Sequence, residues 1–179
     1  MLGMLAAVCL AGRTARATVF LAKDEALALA FPDGDRVEER VVILTDAQKA
    51  EVEQRARAPL ESQLWTIHVG WKGGAVQGYA VIDSHIVRTL PETFMVVVDP
   101  DCRFRRVDVL AFHEPPAYQP PDRWIAQFQG RALDDDLKIG AGIQGITGAT
   151  LSAQAMTAGV RRALALVAEA KALAHAGCF

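Results

Sequence analysis

The sequence predicts an α+β domain: an antiparallel sheet of about four strands, helices packed on it, and one long C-terminal helix. Three observations carry this. Two hairpin patterns follow one another between residues 64 and 112. A Pro-free, Ala- and Leu-rich run occupies residues 152–171. A shorter helix with its own start and stop signals lies upstream.

Taken in order, residues 18–32 mix Ala and Leu with Lys23, Asp24 and Glu25, which fits a short helix ending near Phe31-Pro32. Pro32-Asp33-Gly34-Asp35 is a turn signal. Glu38 to Leu44 fits either a short strand or a connector. Thr45 or Asp46 then caps a helix running to about Ala58, stopped by Pro59. Its charges, among them Lys49, Glu53 and Arg57, form a solvated face.

Leu64–Trp71 is rich in β-branched and aromatic residues, Lys72-Gly73-Gly74 turns the chain, and Ala75–Val87 returns it. Thr93–Asp99 and Arg103–Phe112 make the second hairpin around Asp99-Pro100-Asp101-Cys102. A Pro-rich loop follows. Pro121 suits the first turn of a short helix carrying Trp124 and Phe128. Leu133-Asp134-Asp135-Asp136-Leu137 reads as a solvated acidic loop leading to Gly140-Ala141-Gly142.

Composition bounds the function. Half of the 179 residues are apolar, enough for one domain with a core, and the formal net charge is −2. This balance offers no basic stripe for nucleic acid and no patch for an anionic membrane. The run Met1–Ala11, with Ala15-Arg16-Ala17 behind it, reads as a secretory signal peptide cleaved after Ala17, or as an N-terminal helix. On the first reading the chain divides into a leader (1–17), an N-terminal segment packing on the domain (18–60), and the main domain (61–179). Cys102 and Cys178 remain in the mature chain and are expected as two unpaired thiols. No CxxC, CxxCH or His/Cys cluster points to a metal or haem.

The motif with chemical content is Thr147-Gly148-Ala149-Thr150-Leu151-Ser152, at the start of the long helix. A helix N-terminus offers unpaired N–H groups and a partial positive charge, a natural seat for phosphate. Glycine lets the backbone approach closely. Threonine there either caps the helix or carries a phosphate covalently. Thr147-Gly148-Ala149-Thr150 resembles the [S/T]-G-A-T flavinylation motif of FMN-binding domains, found in peripheral subunits of the Rnf complex and of the sodium-translocating NADH:quinone reductase. The segments Phe112-His113-Glu114-Pro115 to Tyr118 and Trp124 to Arg131 resemble the stretch that precedes the motif in that family.

The resemblance spans roughly residues 75–170 and implies FMN as cofactor, joined through its phosphate to Thr150. The family's aspartate three positions before the motif is Gln144 here. Thr147, Gly148, Ala149 and Ser152 are the candidates for phosphate or ribityl contact. Glu92 and Thr93 are candidates for the ring or ribityl chain, and His85 and Arg88 for neutralising the phosphate. The implied activity is electron relay in the cell envelope by an exported, periplasmic or otherwise extracytoplasmic monomer. The implied partners are an FAD:protein FMN transferase for maturation and a membrane or soluble redox protein, whether flavoprotein, cytochrome or quinone-linked complex. The competing reading is a non-redox exported binding or assembly module in which Thr147–Ser152 only caps a helix. A further one is a flavin-dependent reductase using His85 as proton donor.

Overall fold

The computed structural model describes residues 18–175; the segment read as a leader (1–17) and Cys178 lie outside them. Six strands form one antiparallel sheet in the order β1-β6-β5-β4-β3-β2. They are β1 (Thr18–Val19), β2 (Arg36–Ile43), β3 (Leu64–Lys72), β4 (Ala75–Ile86), β5 (Pro91–Val98) and β6 (Phe104–Phe112). The helices are α1 (Lys23–Ala30), α2 (Asp46–Ala56), α3 (Asp122–Ile125) and α4 (Thr150–His175). The α+β class is as expected, and the sheet is larger than four strands. The segment read as strand or connector is a full strand on the β2 edge, and the two-residue β1 completes the other edge.

Local chemistry explains the helix starts and strand turns. Thr45 caps α2 reciprocally: its Oγ1 accepts from Gln48 N at 3.3 Å, and Gln48 Oε1 accepts from Thr45 N at 2.9 Å. The β5–β6 turn closes with Cys102 N donating to Asp99 O at 2.9 Å. α3 begins immediately after Pro121 and is short, continuing as a single 3₁₀ turn over Ala126–Phe128.

β5 is buried on both faces, so its apolar run is continuous rather than alternating. Phe94, Val96 and Val98 join the larger core with α2 and α4, which also takes in Met156, Val160, Leu164 and Val167 of α4. Met95 and Val97 point to the opposite face and pack with Ala26, Leu27 and Ala30 of α1. α4 therefore lies across the sheet with its long apolar stripe buried. No helix among the described residues is long and apolar enough to cross a membrane.

Two features of the sheet shape its cavities. The hairpin turn between β4 and β5 places Arg88 beyond the sheet, near the start of α4. The β3–β4 pairing stops at Ile67↔Val81, although β4 runs on beside β5 to Ile86↔Pro91 and β3 reaches back to Leu64 beside β2. The two strands part there, and the sheet forks.

Candidate functional site

α4 begins at Thr150, directly after Gly148 and Ala149. Gly148 has φ +84°, the left-handed region that glycine enters without a steric penalty. This residue turns the chain into the helix. Ala149 N donates to Ile146 O at 3.2 Å, closing the turn ahead of the first helical residue.

The hydroxyl of Thr150 points backwards. Its Oγ1 donates to Ile146 O over a long 3.4 Å and accepts nothing from the helix. Among the described residues no side-chain oxygen accepts from the first turn of α4. Thr147 to Ser152 therefore do not cap the helix in the ordinary way. A helix of 26 residues opens with its first N–H groups unsatisfied by side chains.

These N–H groups border a cavity of about 270 Å³ walled by Gly148 to Ser152 on one side and by Arg88 and Tyr118 on the other. Thr150 and Thr147 are exposed, whereas Ala149 and Ser152 are buried at 6% and 1% exposure. The Arg88 guanidinium lies over the Tyr118 ring, 5.2 Å from its centroid.

Arg88 is held by a brace further along the chain. Glu114 Oε1 accepts from Thr89 N at 2.9 Å and Leu90 N at 3.0 Å. These backbone hydrogen bonds, Thr89 first, hold the Glu114 carboxyl below its usual range, against the opposing effect of burial. The carboxylate fastens the β4–β5 turn, and with it Arg88, to the loop that carries Tyr118.

The approach to the motif is fastened similarly. Trp124 Nε1 donates to Gln144 O at 2.5 Å, and Gln144 N donates to Gln127 Oε1 at 2.8 Å. Trp124 is itself seated edge-on against Phe128, with ring centroids 5.3 Å apart. Both bonds to residue 144 use its backbone, so its placement does not depend on an aspartate side chain.

The sequence candidates thus divide. Arg88 and Gly148 to Ser152 converge on one cavity, with Thr147 one residue outside its wall. His85, Glu92 and Thr93 do not line it. Thr93 Oγ1 hydrogen-bonds Ser84 Oγ at 2.7 Å. Glu92 is fully buried, with an oxygen 3.3 Å from His85 Nε2 but outside hydrogen-bond geometry. Sequence reasoning assigned no role to Tyr118 or Glu114. The Glu114-Pro115 step and Tyr118 stood within the family-like stretch, the only signal for them. Among the described residues no group of three or more His, Cys, Asp or Glu is arranged to hold a metal.

The cavity suits a phosphoryl group on its own evidence. It combines an uncapped helix N-terminus, a nearby guanidinium, an exposed hydroxyl and a glycine whose missing side chain leaves the backbone approachable. Residues 90–165 match the model of the FMN-binding domain family. The match takes in the motif, Tyr118, Glu114 and its partner Leu90, and leaves out Arg88 and Thr89. No curated protein matches the chain.

Proposed function

With residues 90–165 forming an FMN-binding domain whose cofactor is FMN, we propose that the flavin is joined covalently through its phosphate to Thr150 Oγ1 and that the protein relays electrons outside the cytoplasm. The observation that carries this is the uncapped start of α4, opening on the Arg88–Tyr118 cavity with the Thr150 hydroxyl exposed at its wall.

Each residue has a physical task. The first-turn N–H groups and the helix dipole stabilise phosphate charge. Arg88 adds a fixed positive charge, held in place by Glu114 through the Thr89–Leu90 backbone. The long Thr150–Ile146 bond is easily given up, which frees the hydroxyl. In the attachment the Thr150 oxygen would bond to the FMN phosphorus of FAD as the pyrophosphate P–O bond breaks, AMP leaving and the hydroxyl proton passing to the transferase or solvent, a net gain of FMN minus water. A threonine hydroxyl is a weak nucleophile, so a flavin transferase must activate it. FMN itself supplies the electron-carrying ring, while the protein orients it and tunes its surroundings. A covalent bond suits an extracytoplasmic carrier, because a dissociated flavin would be lost by diffusion. The electron-exchange partner is a membrane or soluble redox protein.

Intact mass of the full chain, co-expressed with a flavin transferase, tests the attachment. A gain equal to FMN minus water, absent in Thr150→Ala, is the expected result. An unchanged mass in the parent chain removes the covalent reading.

A further inference from the structure

The sheet has two unequal edges. At one, β1 contributes only Thr18 and Val19. The other is β2, which pairs with β3 in one unbroken register from Arg36↔Trp71 to Ile43↔Leu64. Among the described residues no strand pairs with the outer side of β2. Leu44 N donates to Gln63 O on the β3 side at 2.8 Å. Antiparallel ladders alternate, so the N–H and C=O groups of Val37, Glu39, Val41 and Ile43 point outwards.

The usual protections of an edge strand are thin here. β2 contains no proline and its pairing has no bulge. On the face towards α1, Val37, Val41 and Ile43 are 41%, 58% and 71% exposed. Glu39 shares that face with them. On the other face, beside the buried Val42, stand Arg36, Glu38 and Arg40. These charges select what the edge can accept.

Laid antiparallel against β2 of a second copy, the strand is complementary to itself. Opposed residues share a face, and the outward-pointing backbone groups must meet. With a twofold axis at Glu39, Val37 meets Val41 on both sides of the axis, and Glu38 meets Arg40 on both sides. Glu38 already pairs with Arg40 within one chain at 3.3 Å, so the two copies would make a ring of four alternating charges. Neighbouring registers lose this match. An axis at Arg40 sets guanidinium against guanidinium, and an axis at Glu38 sets carboxylate against carboxylate. An axis at Val41 sets Glu38 against Leu44 and Glu39 against Ile43. The like charges that meet at the Glu39 axis are each offset by Lys23, whose Nζ lies 2.5 Å from the carboxylate of its own chain.

We propose that β2 docks on β2 of a second copy of this chain, giving a twofold dimer whose sheet runs through both molecules with Glu39 at the axis. This replaces the monomer that the family resemblance implies. It stands apart from the flavin chemistry, because β2 lies outside the segment matched by the family model.

Sedimentation equilibrium of the full chain over a concentration series tests it. A species of twice the 19.3 kDa chain mass is expected to grow in as concentration rises. Val41→Pro removes an outward N–H and no bond to β3, so it should keep the fold and raise the dimer dissociation constant about tenfold or more. Glu38→Arg sets cations against cations across the axis, and Arg40→Glu sets anions against anions, so each alone should be monomeric. Mixed in equal amounts, these two variants present opposite charges to one another and should form a heterodimer. Circular dichroism melts establish that each variant is folded, and if one fails to fold the others decide. A parent chain that stays monomeric throughout overturns the proposal. So does a dimer that persists undiminished in a folded variant, and so does a mixture of the two folded charge variants that stays monomeric.

Discussion

Arg162 of α4 donates through both Nε and Nη2 to a single oxygen of Asp83 on β4, at 2.9 and 2.5 Å, with the two side chains 10% and 7% exposed. This pair ties the flavin-motif helix to the forked end of the sheet. Burying two charges is costly, and removing only one strands the other. Arg162→Met or Asp83→Leu alone is therefore expected to destabilise the fold by about 3–5 kcal/mol. The double variant Asp83→Leu with Arg162→Met should recover most of that loss. Urea unfolding of the three proteins measures it, and additive losses would show that the pair is not coupled.

Glu114 governs the turn that carries Arg88. Glu114→Ala removes the acceptor for two backbone N–H groups, with an expected cost of about 1–3 kcal/mol. Because the folded pKa of Glu114 lies below its unfolded value, its contribution is complete above the ordinary carboxylate range near pH ~4.3. It is lost as pH falls through the depressed folded value. Hydrogen exchange at Thr89 and Leu90 should accelerate in the variant, and in the parent chain the melting temperature should fall more steeply below pH ~4 than it does in Glu114→Ala.

Two glycines make opposite predictions about space and strain. Gly148 has φ +84°, and an added Cβ would meet nothing within 4 Å. Gly148→Ala therefore costs backbone strain alone, about 1–2 kcal/mol, and should lower flavin loading because the turn precedes Thr150. Gly159 sits mid-helix, where an added Cβ would overlap the Phe94 ring and approach Asp83 Oδ2 at 3.2 Å. Gly159→Ala should cost about 1–3 kcal/mol through overpacking, despite alanine's better helix propensity. Thermal melts and flavin absorbance distinguish the two effects.

His68 titrates in the opposite sense to a salt-bridged histidine. Burial depresses its folded pKa below the ordinary 6.5, so the unfolded chain binds a proton more readily. Stability from this group is full well above pH 6.5 and declines as pH falls through that value towards the folded pKa. The parent chain should lose more stability between about pH 7.5 and about pH 5.5 than His68→Leu does, as read from urea midpoints. Equal losses would show that His68 does not contribute.

The sequence made local features legible and left long-range ones hidden. The start of α4 was readable because Gly148, the two threonines and the apolar run are contiguous. The start of α2 was readable from Thr45 or Asp46 as its cap, and its end from Pro59. β2 read ambiguously because an edge strand keeps Val37, Val41 and Ile43 exposed and intersperses charges, so neither face shows a clean apolar stripe. His85, Arg88, Glu92 and Thr93 look like one cluster along the chain. The pleat sends neighbouring residues to opposite faces, so Glu92 meets His85 while Thr93 meets Ser84. Tyr118 and Glu114 reach the site only through a loop that returns over the β4–β5 turn, which no spacing rule reveals. The cleft at the fork arises from where β3 and β4 stop pairing, a property of register rather than of composition.

Arg161 gives α4 a mechanical role. Its guanidinium donates to the carbonyls of Arg55 and Ala56 at the end of α2, and to those of Asp134 and Leu137 in the acidic loop, over 2.6–3.0 Å. One side chain thus bolts the helix to two neighbouring segments that cross it, and sliding α4 along its axis would break four bonds together. The bolt sits eleven residues from Thr150, about 16.5 Å along a stiff rod. The residue proposed to carry the cofactor is therefore mounted on a rod that cannot travel lengthwise. On that proposal, any change in the distance between the flavin and a redox partner would come from movement of the partner or of the flavin's own tether.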